Sequence, residues 1–208
     1  MSTDTPQGRL REQLWQKRTD FILEAAEAIL IRKGYSSVSM DEIAAQAGVA
    51  KGTLYQHFPT KEDLFFALIE KALIRFEQVI QQAILSGKDA RQKLEHILSY
   101  VYGEHWREHA YLLQLLRKNE DLNRRLLAKK ERSGERIDQV IGQIHCILEE
   151  GKTEGLFTRA IATDIMVHMF LLLLSFAGDE YAPDQPERTP EELIPQLEHL
   201  LFQGIQSS

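Results

Sequence analysis

Along most of this chain apolar residues return every three or four positions, the interval at which side chains share one face of a helix. Between Arg18 and Lys33 the set Ile22, Ala25, Ala26, Ile29 and Leu30 repeats in this way, and Gly34 ends it. Residues 1–17 are polar and hold no sustained period, so they read as a loose tail, or as an arm whose Arg9, Arg11 or Arg18 touches a nucleic-acid backbone. Phe65, Leu68, Ile69, Leu73 and Phe76 carry a stripe toward Leu85, and Ser86–Asp89 breaks it. Leu94, Ile97, Leu98 and Val101 form one further stripe; Tyr111, Leu112, Leu115 and Leu116 form another. A long helix is predicted from about Glu120 to Gly151, with Ile137, Val140, Ile141, Ile144, Ile147 and Leu148 inward and Gly151 and Gly155 closing it. Ile161–Phe176 is apolar nearly all round, which requires burial on more than one side. After the proline-bearing loop Gly178–Pro190, a last helix runs from Glu191 to about Gly204. No alternating pattern of strand type stands out, so the expected fold is all-α. A tail over 1–17, a three-helix head over 18–60 and a helical body over 61–208 are the expected parts.

The stretch Ser39–Lys61 departs from the long helices around it. Ser39 is placed to cap a short helix, with Glu42 three residues on completing a capping box, and Ile43, Ala44 and Ala47 supply an inward face. Gly48 enters the left-handed conformation that a sharp turn requires, and Val49 fills the corner. A second short helix follows from about Lys51 to Phe58, with Leu54 and Phe58 inward. Its outward set, Gly52, Thr53 and Gln56 flanked by Lys51, Tyr55 and His57, is unusual for a plain solvated face. Such a helix spans about 12 Å, similar to the width of the DNA major groove. The spacing of Ala44, Gly48 and Leu54 matches a helix-turn-helix. Thr60, with Asp63 at the third position, starts the next helix; Lys61 stands where the helix dipole disfavours a cation, and a phosphate bound at that helix start would account for it.

Charge alters the picture only modestly. The net charge of the 208 residues is -6, yet residues 1–61 hold 8 Lys and Arg against 7 acids and the remainder 17 against 24. This weak footprint predicts modest non-specific DNA affinity, so specificity must come from two reading heads at fixed spacing. Cys146 is the single cysteine, which excludes an internal disulfide and fits a reducing cytoplasm; its neighbours Ile144 and Ile147 suggest a buried thiol. No basic-then-apolar leader is expected, and the run Ile165–Ala177, interrupted by His168, is too short to span a bilayer.

Residues 18–65, and above all DEIAAQAGVAKGTLYQHFPTKEDLF, resemble the N-terminal domain of the TetR/AcrR family of bacterial regulators. The likeness covers about a quarter of the chain, with Ala50 where many relatives carry a phosphate-contacting serine. It implies a cytoplasmic homodimeric regulator, a repressor in the family's usual mode, released from a palindromic double-stranded operator by a small, largely apolar effector, with no cofactor. Carried over position by position, the motif puts Lys51, Gly52 and Tyr55 nearest base edges and Thr53, His57 and Lys61 on phosphates. It also implies a cavity in the body, for which Phe66, Phe76, Tyr100, Trp106, Tyr111, Met166, Met169 and Phe170 offer material, and a two-fold interface on the last two helices, for which Leu171, Leu172, Phe176, Leu197 and Leu201 are the candidates.

Two other classes compete. A helical ligand-binding protein with a non-functional head would share every feature but operator selection. His105, Glu108 and His109 have the spacing of a zinc hydrolase, but no third ligand stands out, so neither a metal nor an enzyme is expected.

Overall fold

The computed structural model describes residues 6–103, 119–128, 133–176 and 189–205. Among them the elements are helices α1 (Pro6–Lys33), α2 (Met40–Gln46), α3 (Lys51–His57), α4 (Lys61–Leu85), α5 (Ala90–Tyr102), α6 (Glu120–Ala128), α7 (Ser133–Thr153), α8 (Thr163–Phe176) and α9 (Pro190–Ile205), with a 3-10 turn at Tyr35–Ser37. No described helix is long and apolar enough to cross a membrane. The chain divides into two compact units, Met1–Leu68 and Ile69–Ser208, with the division inside α4.

The first unit is a three-helix head. Ile22, Ala26, Ile29 and Leu30 of α1 are buried, as are Ile43 and Ala44 of α2 and Leu54 of α3. Gly34, at φ 81°, ends α1 where the periodicity does, and its amide donates to the Leu30 carbonyl at 2.8 Å. The start of α1 overturns one expectation: residues 6–17, read as tail, are its first three turns. The segment buries no residue, since Ile22 is the first buried position of α1, so apolar periodicity carries no sign of it. Its Leu, Arg, Glu, Gln and Lys residues are good helix formers, and extending a helix already nucleated by the core requires little more.

The second unit packs α5, α7, α8 and α9 around one core. Leu94, Ile97, Leu98 and Val101 of α5 are all buried, and so are Val140, Ile144, Ile147 and Leu148 of α7. Of the helix expected over 120–151, α6 and α7 describe Glu120–Ala128 and the part from Ser133 on, and residues 129–132 lie outside the described part. Gly151 does not end α7. It lies inside the helix because a Cβ there would come within 2.2 Å of the Phe157 ring, which folds back over it. The turn itself belongs to Gly155, at φ 75°. Phe157 in turn stacks on Phe202 of α9 at 6.2 Å, and the Thr158 amide donates to the Ile205 carbonyl at 2.8 Å. Cys146 corrects another expectation: it is exposed, because it faces away from the Val140, Ile144 and Ile147 stripe.

The residues assigned to cavity and interface divide by unit and by burial. Phe76, Met166 and Phe170 are core residues of the second unit, and Tyr100 packs against that core partly buried. Phe66 is buried in the first unit, its ring 6.2 Å from Phe65. Met169 is 52% exposed on the outer face of α8, so it lines no interior space. Of the interface set, Leu201 is buried inside its own unit and is corrected to core, while Leu171 and Leu197 are partly buried against that core. Leu172 stands out at 51% exposure. Trp106, Tyr111 and the His105, Glu108 and His109 group lie outside the described residues, as does the Phe176 side chain.

Candidate nucleic-acid interface

The turn between α2 and α3 is built by local chemistry. The Ser39 side chain accepts from the Glu42 amide at 3.3 Å, and the Ser39 amide donates to the Glu42 carboxylate at 2.9 Å, so both halves of the capping box are present. Lys33 donates to the same carboxylate at 2.7 Å. That ammonium first, and the Ser39 amide and hydroxyl after it, lower the Glu42 pKa from 4.5 to about 2. A carboxylate whose folded pKa is depressed contributes stability that is present above pH 4.5 and lost as pH falls toward 2. Glu42→Gln should therefore destabilise the head at neutral pH and leave a gap from wild type that closes between those two values, measured by denaturant titration at a series of pH values. A gap that stays constant with pH would mean that the carboxylate's charge is irrelevant to the cap.

Gly48 turns the chain at φ 61°, and the Val49 amide returns to the Ala44 carbonyl at 3.0 Å. Ala50 caps α3 without a side-chain hydrogen bond, as its methyl must. The faces of α3 then separate sharply. Leu54 is fully buried and Phe58, at the C-cap, nearly so. Lys51, Gly52, Tyr55 and Gln56 are exposed and Thr53 partly so. Nothing lies within 4 Å of where a Gly52 Cβ would point, so a second backbone has free access there. Lys51 pairs with Asp41 of α2 at 2.8 Å, and this hydrogen bond raises its pKa. The pair is exposed on both sides, so it is weakly held and open to exchange for another anion.

His57 and Lys61 are not placed like the other four. The Lys61 ammonium donates to the Tyr35 carbonyl and sits 4.4 Å over the Tyr35 ring, and burial pushes its pKa down. The reason a cation is tolerated at this helix start is thus a carbonyl and an aromatic face inside the head, which sequence spacing could not show across 26 residues. Thr60 caps α4 as expected, accepting from the Asp63 amide at 3.0 Å. Lys61→Ala should loosen the turn at Tyr35–Ser37 and leave the salt dependence of DNA binding at the wild-type slope. A slope smaller by about one would return Lys61 to a phosphate. The His57 ring stacks on Trp15 at 3.7 Å and 18°, and its Nδ1 lies 2.8 Å from the Thr19 hydroxyl. Burial first, then the charge of Arg18, lower its pKa and favour the neutral ring. Trp15 was not found from sequence, because it lies in the segment without periodicity.

An exposed, mixed polar and aromatic face on a short helix, held from behind by one buried leucine and presented by a tight glycine turn, has the shape of a groove-reading element. Comparison with known proteins agrees. Residues 22–68 match the family model for bacterial regulatory proteins of the tetR family. The Fatty acid metabolism regulator protein of Bacillus subtilis (strain 168) is 30% identical over 171 residues, which cover 79% of this chain and 82% of that protein. The HTH-type transcriptional activator FasR of Mycolicibacterium smegmatis is 37% identical over 78 residues, a match that spans 38% of this chain and 36% of that protein. Among solved structures, FadR from Bacillus subtilis in complex with stearoyl-CoA superposes with a TM-score of 0.71 at 25% identity, covering 89% of this chain and 98% of that one. On its helix-turn-helix head and on the 30% identity that reaches well beyond it, the chain belongs to the TetR family of DNA-binding transcriptional regulators.

Proposed function

We propose that this protein is a homodimeric repressor that lays α3 in the major groove of a palindromic operator and leaves it when a fatty acyl thioester of coenzyme A binds the helical body. The observation that carries the DNA half is the division of α3 between a buried Leu54 and an exposed set of Lys51, Gly52, Thr53 and Tyr55. Lys51, Gly52 and Tyr55 address base edges and Thr53 a phosphate, with Lys51 exchanging Asp41 for the nucleic acid. His57 and Lys61 serve from inside the head. Dimerisation rests on α8 and α9, where Ile165, Met169, Leu172 and Leu200 expose large apolar side chains. The first three lie at helical spacing, so they make one stripe suited to a second copy.

The effector class is supported by relatives: the Bacillus subtilis homologue is named for fatty acid metabolism, and the 25% identical FadR was solved with stearoyl-CoA. Phe76, Tyr100, Met166 and Phe170 of this chain supply an apolar interior against which an acyl chain fits. The thioester need only bind the DNA-incompetent form better, by a coupling of typically about 1 to 3 kcal/mol. Selection of duplexes from random DNA by the full-length protein, followed by titration of the winner with stearoyl-CoA and with coenzyme A alone, tests both halves. A palindrome should be enriched, and only the acylated compound should release it. Failure to enrich any duplex favours a ligand-binding protein with an idle head; release by neither compound, or by both alike, removes the acyl effector.

A further inference from the structure

Three observations meet at the last turn of α3. The helix is seven residues long, its only buried residue is Leu54, and its N-cap has no side-chain hydrogen bond, so few ties fix its pose. His57, its final residue, is gripped on both a face and an edge by the part of α1 that lies before the head's core. Trp15 stacks on the ring at 3.7 Å, and Thr19 meets Nδ1 at 2.8 Å. The Thr19 hydroxyl stands within hydrogen-bond distance of the Trp15 carbonyl, at 3.0 Å, as well as of the His57 ring, so it ties that ring to the backbone of α1. The other ring nitrogen, Nε2, is buried with no hydrogen-bond partner among the described residues.

We infer that Trp15 and Thr19 are positioning residues for operator binding, holding the C-terminal end of the recognition helix through the His57 ring. The inference rests on α3 being that helix. It gives the otherwise core-free N-terminal turns of α1 a task. They are the strut against which α3 is set, and they reach DNA binding without touching base or phosphate through Trp15 itself. Leu54 and the C-cap Phe58 seat this short helix from its inner side, and the stack on His57 holds its end from the side of α1. The reading face then meets the groove already aligned.

The test uses the full-length protein, the duplex that the wild type selects from random DNA, and amide hydrogen exchange over residues 51–58, with residues 40–46 as the control for an intact head. Trp15→Ala and His57→Ala should each weaken binding about threefold to tenfold, the range expected for one aromatic pair. The double variant should be no weaker than the worse single one, the salt slope should not change, and Trp15→Phe should restore most of the affinity. Both alanine variants should speed exchange in α3, with or without DNA, while α2 keeps its protection. Additive losses with a changed salt slope would make Trp15 an independent DNA contact and overturn the strut, as would wild-type exchange in α3 after Trp15→Ala. If the wild type selects no duplex, the DNA-reading role of α3 fails, and the exchange measurement still decides whether the strut exists.

Discussion

Replacing Tyr55 by alanine should cost specific operator binding about 2 kcal/mol or more, roughly thirtyfold, while the protein keeps its fold and its oligomeric state. The reasoning starts from placement. Tyr55 is 41% exposed on the outward face of α3, next to the open space beside Gly52, and an aromatic ring there represents contact area held out to solvent. Tyrosine is costly to expose and well suited to an interface, because it offers a large surface and a hydroxyl with only two side-chain torsions to fix. Its removal should disturb little in the free protein: an exposed substitution is usually worth within about 0.5 kcal/mol, and alanine favours the helix. Binding isotherms against the selected duplex, beside thermal melts and sedimentation of the free variant, make the comparison. An equal drop in melting temperature and affinity would mean that Tyr55 belongs to the head's core.

Leu54→Ala should abolish binding by the opposite route. Leu54 is 0% exposed and is the only buried residue within α3, so its truncation removes the peg that seats the helix in the head's core. Leucine-to-alanine changes at such sites cost about 2 to 5 kcal/mol, which for a head with a small core is a large part of the total. All DNA sequences should be lost together, and amides of α2 and α3 should lose protection together. Leu54→Met, which nearly conserves volume, should recover both at a cost below about 1.5 kcal/mol. Retained protection in the alanine variant would show that α3 is held by something other than this side chain. Adjacent residues on one helix thus predict the same loss of repression with different physical signatures, one in the free protein and one only in the complex.

How far the chain could be read before folding follows from how far its signals reach along it. The capping box of Ser39 and Glu42, the left-handed Gly48, the cap at Thr60 and the C-terminal ends of α1 and α4 are set by residues within four positions of one another, and each stands where spacing put it. Helix faces in the body were equally legible, since burial of Leu94, Ile97, Leu98 and Val101 is the direct image of their period. Glycine was read less well. Gly151 has the composition of a stop but serves a close approach, and only the position of the Phe157 ring reveals it.

Errors arose where two helices, or a helix and its outer face, compete for one residue. Leu201 and Met169 sit in runs so apolar that the pattern has no preferred side; packing turned Leu201 inward and left Met169 out. Lys61 was correctly singled out as a cation in a poor place, yet its partner could be chosen only by the fold that brings the Tyr35 carbonyl and ring beside it. The first turns of α1 carry no apolar stripe at all, and their meaning lies in a stack between residues 15 and 57. Local periodicity, capping and backbone freedom, which act over a few bonds, thus defined most of the helices and the turn between α2 and α3, while the motif from Asp41 to Phe65 carried the resemblance to the family. The partners of Lys61 and His57 belong to residues distant in sequence, and chain folding had to bring those together.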